Sequence, residues 1–71
     1  MFTNYILIQL NGKPFNCKQN LLLQDLLIYL NVNINSTIIE YNREVIQDSL
    51  LNKIILQQGD EIEVLTIVGG G

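Results

Sequence analysis

The sequence contains no histidine, no tryptophan and a single cysteine, Cys17. One cysteine cannot form a disulfide within the chain, and a zinc site or a Cys–His nucleophile pair lacks the residues from which it is built. We therefore expect no metal site and no bound cofactor, and a reducing intracellular compartment fits best. Cys17 itself is expected to be a part-buried small apolar residue.

Basic residues are also few, since four Lys and Arg face seven Asp and Glu for a net charge of −3. The four are scattered along the chain at Lys13, Lys18, Arg43 and Lys53. Binding of nucleic acid requires a clustered basic patch, so the composition argues against that class of partner. No apolar run approaches the roughly 20 residues of a membrane span. The first ten residues lack the basic segment and cleavage site of a secretory signal.

Alanine is absent, whereas asparagine and isoleucine are frequent. This usage is typical of an AT-rich genome, such as that of a low-GC bacterium or an organelle. We expect a cytoplasmic protein, or one of the plastid stroma if the gene is organelle-encoded.

The apolar residues predict one helix among several strands, within the single domain that 71 residues allow. Alternation of side chains predicts strands over residues 5–10, 37–41 and 61–68. Leucines spaced by three and four predict a helix within residues 20–31, with Asn20 as its N-cap.

Shorter signals fill the connections between these elements. Asn11-Gly12 predicts a two-residue hairpin turn into a return strand over residues 13–17, and Pro14 places that strand at a sheet edge. We also expect a brief edge strand at residues 45–46. A helical turn is expected over residues 48–52, with Leu50 and Leu51 touching the core.

This order of elements predicts an α+β fold of the β-grasp, or ubiquitin-like, type. Its mixed sheet of four to five strands has the first and last strands adjacent and parallel, and one main helix packs on one face. The predicted division is a β-grasp domain over residues 1–68 and a flexible glycine tail over residues 69–71.

One helix covers only one face of such a sheet, so the last strand must show residues on the other. The alternation places Glu61, Glu63, Leu65 and Ile67 together, and two acidic side chains do not fit beneath a helix. We expect Leu65 and Ile67 on the open face, joined by Leu7. Such a patch is typical of a docking surface, although central strands are also apolar on both faces in many sheets. The complete set of candidate docking residues is Leu7, Glu61, Glu63, Leu65, Ile67 and Val68.

Three glycines, Gly69, Gly70 and Gly71, follow this strand without a linker. Glycine has no Cβ, so a run of it enters a slot that other residues would block. Three extended residues reach roughly 10 Å, enough to place a terminal carboxylate inside another protein's active site. An isolated Gly-Gly end is more often a frayed terminus, but after a β-grasp strand the functional interpretation is favoured.

Several segments of the sequence together resemble the ThiS family of thiamine-biosynthesis sulfur carriers. They are the first strand with its "NG" turn, "LLQDLLIYL", "EYNREVI" and "QGDEIEVLTIVGGG", in the family's order across essentially the whole chain. One departure is Arg43, which follows Asn42 where a glycine is common.

The resemblance implies the following chemistry. An E1-like adenylyltransferase, similar to ThiF, uses ATP to convert the Gly71 carboxylate into an acyl-adenylate. Sulfur from a cysteine desulfurase-derived donor then replaces AMP, and thiazole synthase, similar to ThiG, consumes the resulting thiocarboxylate. Gly71 is modified, Gly69 and Gly70 supply reach, and the chain is a protein co-substrate rather than an enzyme.

Other functions remain open at this point. Relatives with the same kind of tail include the small subunit of molybdopterin synthase, tRNA-thiolation carriers and ubiquitin-like protein modifiers. A pure interaction module with an inert tail is the alternative from another class. An enzyme is disfavoured, since the remaining carboxylates show no converging pair and are expected to be solvated, with Asp60 as a turn residue.

Overall fold

The computed structural model describes residues 4–67 as a mixed sheet with a helix across one face. The strands, numbered in chain order, are β1 (Tyr5–Leu10), β2 (Lys13–Lys18), β3 (Thr37–Tyr41), β4 (Glu44–Val45) and β5 (Glu61–Thr66). One α-helix, α1 (Leu23–Tyr29), and two 3₁₀ turns, Ile34–Ser36 and Asp48–Leu50, complete the described elements. The strand order is β2-β1-β5-β3-β4, and β1 runs parallel to β5. The predicted β-grasp fold is therefore confirmed.

The hairpin between β1 and β2 follows from Asn11 and Gly12, whose φ angles of 50° and 79° suit a two-residue turn. The turn pairs Leu10 with Lys13 and fixes the register of both strands. Because β2 is the outermost strand, Pro14 occupies the edge position predicted for a residue without an N–H.

Helix α1 begins three residues later than the predicted tract. Asn20 is not its N-cap: its backbone is left-handed, with φ of 68°, and Leu22 occupies the N-cap position. Leu22 also forms a β-bridge with Ile55. The carbonyl of Leu21 accepts a hydrogen bond from the Leu56 N–H at 2.8 Å. These long-range backbone bonds hold residues 21–22 extended and override their helix propensity.

The core lies between α1 and the covered face of the sheet. Its fully buried side chains are Ile8, Leu23, Leu26, Leu27, Ile39, Leu51, Leu56 and Ile62. Each contributes about 1.5–3 kcal/mol relative to an exposed position. Leu51 packs in this core as predicted, but Leu50 does not, since it lies 42% exposed on the 3₁₀ turn.

The turn between β3 and β4 carries an unusual backbone. Asn42 and Arg43 have φ angles of 50° and 72°, and a left-handed conformation is unfavourable for an arginine. The short edge strand consequently starts at Glu44, one residue earlier than predicted. The Arg43 side chain reaches Glu61 at 3.5 Å, but both groups are exposed, so this ion pair contributes little.

We expect Arg43→Gly to raise the free energy of unfolding by about 0.5–1 kcal/mol, because glycine adopts a positive φ without a Cβ clash. Urea denaturation of both chains measures the change. The matched control is Arg43→Ala, which removes the ion pair but keeps the Cβ and should not stabilise. Equal effects of the two substitutions would contradict the backbone explanation.

Asp60 is a buried polar residue, 8% exposed, and not the solvated turn residue that the sequence suggested. Its carboxylate accepts hydrogen bonds from the Tyr41 hydroxyl at 2.6 Å, the Gln57 N–H at 2.8 Å and the Asn42 Nδ2 at 3.2 Å. Asp60 thereby ties the start of β5 to the end of β3. Burial, followed by the hydrogen bond and the charge of Asp60, raises the pKa of Tyr41 to about 12.

Replacement of Tyr41 by Phe is expected to lower the free energy of unfolding by about 1.5–3 kcal/mol at pH 7, the range for a hydrogen bond to a charged group. The folded pKa of about 12 exceeds the ordinary value of 10.0. The hydroxyl's contribution is therefore complete below pH 10 and is lost as the pH rises through 12. Urea titrations of both chains between pH 7 and about pH 11 test this, and a stability difference that is constant with pH would refute it.

Candidate functional site

The face of the sheet opposite α1 is open, and strand register determines which residues it presents. Glu61 pairs with Gln9 of β1, while Glu63 and Leu65 pair with Glu40 and Ile38 of β3. Paired residues project to the same side, so all of these side chains share what we call the open face. The neighbouring Ile62 projects to the other side and is fully buried. The predicted division of β5 into a covered and an open side is correct.

An apolar patch occupies the end of the open face next to Ile67, the last described residue. Leu65 is 44% exposed and Ile67 is 51% exposed. Ile38, directly opposite Leu65 and 38% exposed, extends the patch across to β3. We define the apolar patch as Ile38, Leu65 and Ile67. Ile38 was not among the predicted docking residues, although the alternation of "TIIEY" already placed its side chain on the other face of the sheet from the buried Ile39.

Leu7 lies on the same open face but at its other end, and it does not join the patch. The parallel register of Gln9 with Glu61 brings Leu7 level with Gly59, whose N–H donates to the Leu7 carbonyl at 2.8 Å. Leu65 lies six residues further along β5, about 20 Å away at 3.3 Å per residue. The expectation that Leu7 joins Leu65 and Ile67 is therefore wrong, because residues 7 and 65 lie at different heights in the sheet.

Carboxylates border the patch on the side toward the start of β5. Glu40 and Glu63 stand directly opposite each other on neighbouring strands, a like-charge arrangement that is unfavourable for folding. Glu61 is exposed and paired with Arg43, and Glu63 is half-buried. The open face thus combines a small apolar area with a negative margin. Glu40 belongs to this margin, although the sequence alone suggested only a solvated side chain.

The chain is held in the sheet up to Ile67, whose N–H donates to the Ser36 carbonyl at 2.8 Å. The predicted docking residue Val68 and the tail residues Gly69, Gly70 and Gly71 lie outside the described residues. The apolar patch is therefore the last part of the open face that the structure describes before the glycines.

Residues 4–67 offer neither a metal-binding cluster nor an activated thiol. Within residues 4–67, no group of three or more His, Cys, Asp or Glu side chains is placed to hold a metal ion. Cys17 is buried, and burial together with the charge of Asp60 raises the pKa of its thiol, which makes it a weak nucleophile. None of the helices described in residues 4–67 has the length and apolarity needed to cross a membrane.

A groove of about 370 Å³ lies between β2 and α1, lined in part by Tyr5, Phe15, Cys17 and Tyr29. Its walls come from the sheet edge farthest from β3, so it is separate from the apolar patch.

Comparison with known proteins identifies relatives over the whole chain. The model of the ThiS family matches residues 8–71. The "Uncharacterized protein ycf40" of Porphyra purpurea is 42% identical over 71 residues, the full length of both chains. The "Sulfur carrier protein ThiS" of Bacillus subtilis is 35% identical over 66 residues, covering 92% of this chain and all of that protein.

Two further matches extend these similarities. A "Thiazole synthase" of Magnetococcus marinus is 34% identical over 64 residues, which cover 90% of this chain but only 20% of that protein. The crystal structure of the thiamine biosynthesis protein ThiS from Geobacter metallireducens superimposes with a TM-score of 0.81 at 29% identity. That match covers 93% of this chain and all of the other.

Proposed function

Since the chain belongs to the ThiS family, we propose that it carries sulfur on its Gly71 carboxylate for synthesis of the thiazole ring of thiamine. One observation carries the proposal: the family match runs through Gly71, and the described part of β5 leads to the glycines from the edge of an exposed apolar patch. The domain docks through its open face, and the three glycines deliver the carboxylate. In this role the chain is a co-substrate and not a catalyst.

The chemistry proceeds at the carboxylate of Gly71. A carboxylate oxygen attacks the α-phosphorus of ATP on an E1-like adenylyltransferase, and pyrophosphate leaves. The acyl-adenylate is needed because a free carboxylate is a poor electrophile, whereas AMP is a good leaving group. ATP is thus a substrate of the activating enzyme and not a cofactor of this chain.

Sulfur enters in the second stage. The terminal sulfur of a persulfide, derived from a cysteine desulfurase, attacks the activated carbonyl and displaces AMP. A thiol then cleaves the resulting acyl disulfide, which leaves a thiocarboxylate on Gly71 and a disulfide on the donor side. Transfer of this sulfur to the thiazole precursor on thiazole synthase regenerates the carboxylate, because the Gly71 acyl group takes up an oxygen atom from the precursor or from water in place of the sulfur.

The match to part of a thiazole synthase supports that enzyme as the acceptor. In the Magnetococcus protein, a stretch similar to this chain makes up about a fifth of a polypeptide named for thiazole synthesis. A carrier domain joined to its acceptor is at high effective concentration, so such a union is useful when the two act together. We propose that the present chain makes the same encounter with thiazole synthase.

Intact-mass measurement tests the proposal. The chain is incubated with ATP, the adenylyltransferase of the same organism and a persulfide donor. Replacement of one oxygen by sulfur at the activated carboxylate adds about 16 Da. Transfer to thiazole synthase with formation of the thiazole product then identifies the pathway. Stable conjugates to lysines of other proteins would instead indicate a protein modifier, and no mass change would refute the carrier function.

A further inference from the structure

The strand β5 has an open backbone edge along its second half. Its neighbour β1 pairs with it only through Gln9–Glu61 and Leu10–Ile62, after which the chain turns away at Asn11 and Gly12. On the other side, β3 accompanies β5 as far as Thr66. Residues 63–66 therefore have a neighbouring strand on one side only, although β5 lies in the middle of the sheet.

The direction of the backbone groups follows from bonds at both ends of β5. The Glu61 carbonyl accepts from the Asn42 N–H at 2.8 Å and the Ile67 N–H donates to Ser36 at 2.8 Å, so odd-numbered residues face β3. Even-numbered residues must face the side of β1. The Val64 N–H is satisfied there by Asn11 Oδ1 at 2.7 Å. In the described part of the chain, the pairing with β1 ends at Ile62, so no strand lies beside the Val64 carbonyl or the two backbone groups of Thr66 on this side.

The other edges of the sheet are protected against pairing, and this one is not. The outer strand β2 carries Pro14 and two lysines, and β4 at the opposite edge is only two residues long. Both are common devices against unwanted strand addition. The open edge of β5 carries one charge at its start, Glu63, but residues 64–66 contain neither a charge nor a proline.

We propose that this edge receives an extended segment of the adenylyltransferase, which adds to β5 as a strand in the line of β1. This inference rests on the proposed function. Glycines carry no polar groups other than those of the backbone, and in a slot that excludes water these groups must be paired. A partner strand that starts on Thr66 and continues along the tail supplies that pairing. The addition of a strand to a sheet edge is an established mode of peptide recognition.

The pairing would also fix the direction in which the tail extends from the bound domain. A docked apolar patch fixes the position of the domain, but it does not fix the direction in which residues 68–71 leave it. Backbone bonds from the partner to Thr66 would hold the direction of β5 close to Ile67, the last described residue. The apolar patch and the open edge of β5 therefore both contribute to binding of the adenylyltransferase. The patch contributes through side chains and the edge through the main chain.

The comparison of Thr66→Pro with Thr66→Ala isolates the backbone contribution. Both substitutions remove the threonine side chain, but only proline removes the N–H, which faces the side of β5 that β1 does not reach within residues 4–67. We expect both variants to unfold near the temperature of the natural chain. Binding to the adenylyltransferase, measured by calorimetry without ATP, should weaken at least about tenfold for Thr66→Pro relative to Thr66→Ala. Equal affinities of the two variants would overturn the inference.

Amide hydrogen exchange of the natural chain tests the same inference even if Thr66→Pro does not fold. The Thr66 N–H should exchange freely in the isolated chain and at least about tenfold more slowly when the adenylyltransferase is bound. The Ile67 N–H, already bonded to Ser36, is the internal reference. Unchanged exchange at Thr66 on binding would overturn the inference. So would protection in the isolated chain that rises with its concentration, since a second copy would then occupy the edge.

The failure of the inference and the failure of the proposed function give different results. Suppose that the natural chain gains sulfur, that Thr66→Pro and Thr66→Ala bind equally well, and that exchange of the Thr66 N–H does not change on binding. Only the strand addition is then wrong. If the natural chain neither binds the adenylyltransferase nor gains sulfur, both are wrong.

Discussion

Deletion of Gly70 and Gly71 is expected to abolish formation of the thiocarboxylate while leaving the free energy of unfolding unchanged. The deletion withdraws the reacting carboxylate by roughly 7 Å, at 3.3–3.6 Å per residue. Misplacement of a reacting group by about 1 Å already costs about 100-fold in rate, so the loss should exceed this factor. Neither glycine has a side chain that could be buried, so the deletion removes no packed apolar side chain from the fold. Intact mass after incubation with ATP, enzyme and sulfur donor measures the effect.

The shortened chain also separates docking from delivery. It retains the apolar patch and the acidic margin, so it should still bind the adenylyltransferase and inhibit sulfur loading of the natural chain by competition. A Gly70→Ala variant keeps the reach of the tail but adds one Cβ in the slot, so it tests the width of the slot separately from the length of the tail. Continued sulfur loading of the shortened chain would show that the carboxylate of Gly71 is not the acceptor.

The second large effect is expected from Leu65→Ser, which removes the centre of the apolar patch. Truncation of a central interface residue commonly costs about 2 kcal/mol or more, so KM for the adenylyltransferase should rise about 30-fold. The turnover of the saturated enzyme should change little, because Leu65 does not touch the reacting atoms. Since Leu65 is already 44% exposed, its loss should destabilise the fold only modestly, by about 1 kcal/mol.

Leu7→Ser is the matched control for this prediction. Leu7 lies on the same open face at 38% exposure, but the register places it about 20 Å from the patch. We expect Leu7→Ser to leave KM within about twofold of the natural chain, as a position outside the interface should. Equal losses for the two variants would mean that docking uses the whole face, and no loss for Leu65→Ser would remove the patch from the mechanism.

Strong local patterns made most of the fold predictable. The Asn11-Gly12 turn, the leucine spacing of α1 and the alternation of β5 each have a direct physical cause within a few residues. Even the exposed side of β5 could be predicted, because Glu61 and Glu63 are too costly to place beneath a helix. The start of α1 could not be predicted, since the backbone bonds that hold Leu21 and Leu22 come from residues 55–56.

The same distinction between local and long-range causes applies to the residues of the candidate site. Leu65 and Ile67 were identifiable from parity, which is a property of one strand. The membership of Ile38 in the patch and the wrong placement of Leu7 both depend on the register between strands that are far apart in the sequence. No local signal encodes that register. Asp60 shows the same limit, because a "GD" turn is normally solvated, whereas here Tyr41 and Asn42 enclose its carboxylate.

The sequence by itself determined the class of protein: a β-grasp domain without histidine, whose candidate reactive group is a glycine carboxylate. These conclusions follow from composition, short-range periodicity and a resemblance that spans the chain. Only the tertiary structure decided which apolar residues form one surface and where the backbone of β5 is unpaired. The physical reason is that contiguity on a sheet depends on register and on where each strand stops. Both are fixed by long-range hydrogen bonds and packing, not by the residues of any one segment.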